Sequence, residues 1–67
     1  MEAKIEFLRK GLTGQIYGLI DSNNQVIRQY PANSEKEAFD FFLSQAKSLK
    51  EDDGISAIVF EGKVVNL

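Results

Sequence analysis

Between Asn33 and Lys50 the chain reads NSEKEAFDFFLSQAKSLK, the one segment whose apolar residues recur at the spacing of a helix. Its start is marked as well. Ser34 stands three residues before Glu37, the arrangement in which a hydroxyl caps the third helical amide and a carboxylate reaches back to the capping residue. Glu35 and Glu37 fall in the first turn, where the helix dipole favours negative charge. Ala38, Phe39, Phe42, Ala46 and Leu49 share one face, which must find a core to cover. Lys47 and Lys50 suit the negative end of the dipole, whereas Glu51, Asp52 and Asp53 do not. The helix is therefore expected to stop near Lys50, with Gly54 ending the connection.

The remaining residues read as strands and turns. A first strand is expected at Ala3 to Arg9, with Ile5 and Phe7 on one face and Lys4, Glu6 and Leu8 on the other. Lys10-Gly11-Leu12-Thr13-Gly14 follows as a turn. Gly11 and Gly14 have the spacing of the GXXG loop with which KH domains clamp nucleic acid, but that loop joins two helices and this one lies between strand-like runs. A hairpin turn is the better account. The second strand, Gln15 to Ile20, contains Gly18, which marks a bulge or leaves room for a close neighbour, the helix being the expected occupant. Asp21-Ser22-Asn23-Asn24 separates it from a third strand, Gln25 to Tyr30, that Pro31 ends. After the helix come Ile55 to Phe60 and Lys63 to Leu67, joined by Glu61-Gly62 as a two-residue loop. The order β-β-β-α-β-β describes one small α+β domain over residues 1–67, a two-layer sandwich of a mostly antiparallel five-stranded sheet and one helix.

One helix of about sixteen residues is ~24 Å long and lids only one face of such a sheet. Both faces of the strands nevertheless carry apolar residues: Ile16 and Ile20 oppose Tyr17 and Leu19, Val26 and Tyr30 oppose Ile27, and Ile55, Ala57 and Val59 oppose Ile58 and Phe60. Uncovered apolar surface of this extent commonly marks a contact with another protein. The expectation is a protein-binding module that uses an apolar sheet surface or an edge strand such as Lys63 to Leu67, binding a partner, a second copy of itself, or both. Tyr17, Leu19 and Ile27 are the expected binding residues on the sheet, and Phe41 is a separate candidate on the flank of the helix. A small-molecule or peptide site beside Gly18 and a purely structural homo-oligomer are the alternatives.

Composition narrows the function further. With 67 residues the domain buries a small fraction of its surface and is marginal alone, which makes self-association one route to stability. It has no cysteine and no histidine, so disulfides, thiolate ligands and the commonest transition-metal ligand and general base are all missing. Glu51-Asp52-Asp53 lacks the alternating oxygens of a calcium loop, and the residues entering the helix hold no glycine-rich cofactor fingerprint. An enzyme, a cofactor and a metal are not expected. A net charge of −2 with scattered basic residues argues against nucleic acid. No apolar run reaches the ~20 residues of a membrane span, and the first residues lack a signal peptide's apolar core, so a cytoplasmic protein is the expectation.

Overall fold

A computed structural model describes residues 1–67 in full. The chain is α+β and runs β1 (Glu2–Lys10), β2 (Gln15–Ile20), β3 (Val26–Ala32), α1 (Glu35–Ser44), α2 (Ala46–Asp53), β4 (Ala57–Phe60), β5 (Lys63–Asn66). The five strands form one sheet in the order β3-β2-β1-β4-β5. Three of its pairings are antiparallel, while β1 and β4 run parallel, so the sheet is mixed. That pairing is forced by the helical crossover: the chain leaves β3 at one edge, passes over the sheet, and re-enters beside β1 on the far side. Parallel neighbours need a crossover of this kind, whereas antiparallel ones are joined by tight turns.

The turns form where their residues demand them. The Asp21 carboxylate accepts the amides of Asn23 at 2.8 Å and Gln25 at 2.9 Å, and Asn24 takes the left-handed conformation at φ 64°. Glu61 and Gly62 both have positive φ, 52° and 77°, the geometry of a two-residue turn whose twist matches its strands. Gly11 and Gly14 close the β1–β2 turn through a 2.8 Å main-chain bond, with Leu12 fully exposed at its tip.

At the helix start the Glu37 amide donates to the Ser34 hydroxyl at 3.1 Å, as the cap signal requires. The single helix expected over Asn33 to Lys50 is instead two, broken at Gln45, whose φ and ψ of −100° and 15° lie outside the helical range. Two local bonds favour the break. The Ser44 hydroxyl donates back to the Phe41 carbonyl, and the Gln45 amide donates to the Phe42 carbonyl, tightening the last turn. The second helix then runs past Lys50 to Asp53, three acidic residues into the unfavourable end of its dipole. Arg28 makes this tolerable: its Nε donates to Asp53 Oδ2 at 2.7 Å and its Nη2 to Ser48 Oγ at 2.9 Å, and Ser48 in turn donates to Asp52 Oδ2 at 3.0 Å. Gly54, at φ 68°, ends the helix in the left-handed conformation.

Both helices lie on one face of the sheet. Their residues Ala38, Phe39, Phe42 and Leu49 join Ala3, Ile5, Tyr17, Leu19, Ala32, Ile55 and Ile58 in a single core. Two parallel aromatic pairs clamp the flanks of α1 to the sheet, Tyr30 on Phe41 with centroids 3.7 Å apart and Phe39 on Phe60 at 4.2 Å. The space at Gly18 is not taken by the helix. A Cβ there would stand 2.7 Å from Leu8 Cδ1, so Leu8 occupies it from the opposite face.

Candidate functional site

Strand alternation sorts the sheet's side chains into two sets, and the pairing register identifies each set across all five strands. Ile5 lies opposite Leu19, Phe7 opposite Tyr17, Tyr17 opposite Tyr30, Ala3 opposite Ile58 and Ile58 opposite Val65. This set faces the helices. Two of the expected binding residues belong to it: Tyr17 is 7% exposed and Leu19 is 0% exposed. Ile27 is the extra residue of a bulge between the Leu19–Arg28 and Ile20–Val26 pairs, and it packs half-buried against the same core. Phe41 is half-buried under Tyr30. The assignment of Tyr17 and Leu19 to an uncovered surface is therefore corrected: they are the face that the helices cover. The reason is visible in β1, where the residues that share a side with Tyr17 and Leu19 are Ala3, Ile5 and Phe7, and those on the other side begin Glu2, Lys4, Glu6. The core accepts Ala3 and Ile5 and not the charged series, while Phe7, on the same side as Ile5, stays 55% exposed with an edge contact to Tyr17.

The uncovered face is built from the other set. Its central row runs across every strand, Val64 opposite Val59, Val59 opposite Lys4, Lys4 opposite Ile20 and Ile20 opposite Val26. Val26 and Val64, at opposite ends of the row, are 44% and 53% exposed. Leu8 and Ile16 extend the apolar part beside β2 and β3, both half-buried. Through the middle passes a charged strand: Lys4 is 3.5 Å from Glu6, and Arg9, which lies opposite Ile16, donates to Gln29 at 2.8 Å. These residues are the ones that face-counting on isolated strands could not separate from the core set. The signal that finds them is the run of charge on alternate positions of β1.

The two edges of the sheet differ. Along β3 the outward main-chain positions include Pro31, which has no amide to offer, and the bulge at Ile27 twists the strand there. β5 has neither device. In its hairpin the residues flanking the two-residue loop, Phe60 and Lys63, exchange main-chain bonds, and the Leu67 amide donates to the Ser56 carbonyl at 3.0 Å in the same phase. Lys63, Val65 and Leu67 thus point their amides and carbonyls at β4, and Val64 and Asn66 point theirs outward. The helix-facing side of this edge is apolar, with Phe60, Val65 and Leu67 half-buried.

Other chemistry is thinly represented. No group of three or more acidic, histidine or cysteine side chains converges on a point where a metal ion would sit. Glu51, Asp52 and Asp53 do not act as one cluster, since Asp53 is committed to Arg28 and Asp52 to Ser48. A hollow of about 320 Å³ opens on the uncovered face among Lys4, Ile20, Asp21, Asn24 and Val59, at the bottom of the size range of ligand pockets. A second, about 300 Å³, is lined only by polar residues of the helices. Neither borders Gly18, where the alternative reading of a small-molecule or peptide site places its pocket. No helix is long and apolar enough to cross a membrane. Comparison with protein-family models, with curated proteins and with solved structures finds no match to this chain.

Proposed function

We propose that this chain is a small non-enzymatic protein-binding module, a regulator or inhibitor that attaches to a larger protein by taking an extended segment of it onto the free edge of β5. The observation that carries this reading is the asymmetry of the two edges. Pro31 and the bulge at Ile27 protect β3, while the amides and carbonyls of Val64 and Asn66 stand unpaired on β5. An added strand would gain main-chain bonds from these four groups. Its alternate side chains would meet Phe60 and Val65 on the helix side and Val64 on the other, which is how edge-strand recognition combines affinity with specificity. Lys63, at the start of the strand, would favour an acidic residue in the bound segment. A composition without cysteine and with evenly mixed charge fits a cytoplasmic setting.

The test uses proline as a selective block. Because the Val64 amide points away from β4, Val64→Pro removes an outward donor and no bond of the sheet, whereas Val65→Pro removes a ladder bond. Peptides selected from a random extended library on the wild-type domain should slow hydrogen exchange at the Val64 and Asn66 amides and should bind Val64→Pro at least tenfold more weakly. Selected peptides that protect neither amide would refute the β5 edge as the site.

A further inference from the structure

The uncovered face carries a second feature, independent of the β5 edge. Along β1 its charges alternate in sign: Glu2 negative, Lys4 positive, Glu6 negative, Arg9 positive. Read in reverse, the same stripe is its own complement. We infer that this face binds the same face of a second copy of the chain. The two sheets meet about a two-fold axis that lies between them, perpendicular to the strands and level with Ile5. That axis sets one β1 antiparallel to the other, so Lys4 of each copy faces Glu6 of its mate, and Glu2 faces Arg9. No other sheet-face element presents charges in this order, and a parallel arrangement of the two β1 strands would set like charges against each other.

Apolar side chains flank the stripe on both sides, Val59 and Val64 towards β5 and Leu8, Ile16 and Val26 towards β3, while Ile20 between them is already buried within its own chain. Leu8 contributes because it lies over Gly18 and fills what would be a hollow in the surface. Five strands at about 4.8 Å and about six residues at 3.3 Å give a footprint of roughly 24 by 20 Å per copy. Two such footprints total about 1,000 Å², the lower limit for a specific interface, so a dimer of micromolar rather than nanomolar strength is expected. The apolar residues supply its affinity. The charges set the pairing geometry, since ion pairs withdrawn from water contribute little net attraction but penalise a wrong juxtaposition heavily.

Charge exchange tests this directly. Lys4 and Glu6 have side chains 55% and 44% exposed, so substitution should leave the fold intact, which circular dichroism would verify. In sedimentation equilibrium the wild type should dimerise, and Lys4→Glu and Glu6→Lys alone should each weaken the dimer by about 100-fold through like-charge contacts. An equimolar mixture of the two single variants should recover a heterodimer, and the double variant Lys4→Glu/Glu6→Lys should recover the homodimer. A wild type that remains monomeric at 1 mM (a concentration of about 1,000 times the micromolar class), single variants that dimerise like the wild type, or a mixture that stays monomeric would each overturn the inference. Should a variant fail to fold, half-labelled wild type decides: methyl contacts between copies are expected at Val26, Val59 and Val64 and not at Val65 on the helix side. The opposite distribution, or none, overturns it.

Discussion

Leu19 sits where β2 passes under the helices, with no exposed surface at all. A buried leucine of this kind supplies dispersion and transfer energy that truncation removes together with a cavity penalty, so Leu19→Ala should lower the unfolding free energy by about 3 kcal/mol in urea titration. A chain of 67 residues has on the order of 3–10 kcal/mol in total, and that loss is a large part of it. Leu19→Asp goes further, because a carboxylate there has no partner and no water; the chain should be unfolded at 25 °C by circular dichroism. Such a variant would lose any binding activity through unfolding and says nothing about a surface. Tyr17 and Leu19 looked like surface candidates because alternation yields two sets of side chains without saying which is inside. Only the pairing of both with Ile5 and Phe7, on the strand whose other side is charged, decides it. The cap by the Ser34 hydroxyl was legible, since it depends on a residue three positions away and not on the far side of the sheet, whereas the structure shows no return bond from the Glu37 carboxylate.

The helices show the same division at the scale of elements. Spacing and capping located the helical segment within two residues of its start, but the break at Gln45 and the extension to Asp53 depend on contacts from elsewhere. The extension rests on Arg28, twenty-five residues earlier in the chain and side by side with Asp53 only once β3 has formed. Removing either partner of this pair, whose side chains are 28% and 22% exposed, should fray the last turn of α2. A double-mutant cycle on Arg28→Ala and Asp53→Ala should give a coupling of about 1 kcal/mol, and amide exchange at the end of α2 should accelerate in both single variants. Coupling below a few tenths would mean that Gly54 alone terminates the helix. Hairpin turns were readable because their residues and lengths are local, as at Glu61-Gly62 and Asp21-Asn24. The parallel pairing of β1 with β4 was not, because nothing in either strand records which neighbour the crossover will deliver.

For the whole molecule the question is whether so small a core is sufficient by itself. The radius of gyration, 11.0 Å, equals the ~11 Å of a closed domain of this length, so the uncovered face does not come from a loose fold. Yet only 14 of the 67 residues are buried, and none of the uncovered row except Ile20 is among the large side chains fully withdrawn from water. Self-association over that row would add to stability by mass action, because a folded dimer and two unfolded chains respond differently to concentration. Each tenfold rise in concentration above the dissociation constant would then favour the folded state by about 0.7 kcal/mol per chain, half of the ~1.4 kcal/mol of a tenfold change. For a domain of this size that corresponds to roughly 3–5 °C in Tm. Calorimetry of the wild type between dilute and concentrated samples should show this drift. Lys4→Glu, with the same core and a mismatched stripe, should begin to drift only at about 100-fold higher concentration. Val64→Pro, which blocks the edge but keeps the charges and an apolar ring at that position, should still drift. A wild-type Tm independent of concentration would mean that the core under α1 and α2 is enough, and that the charged stripe on β1 only keeps the face wet.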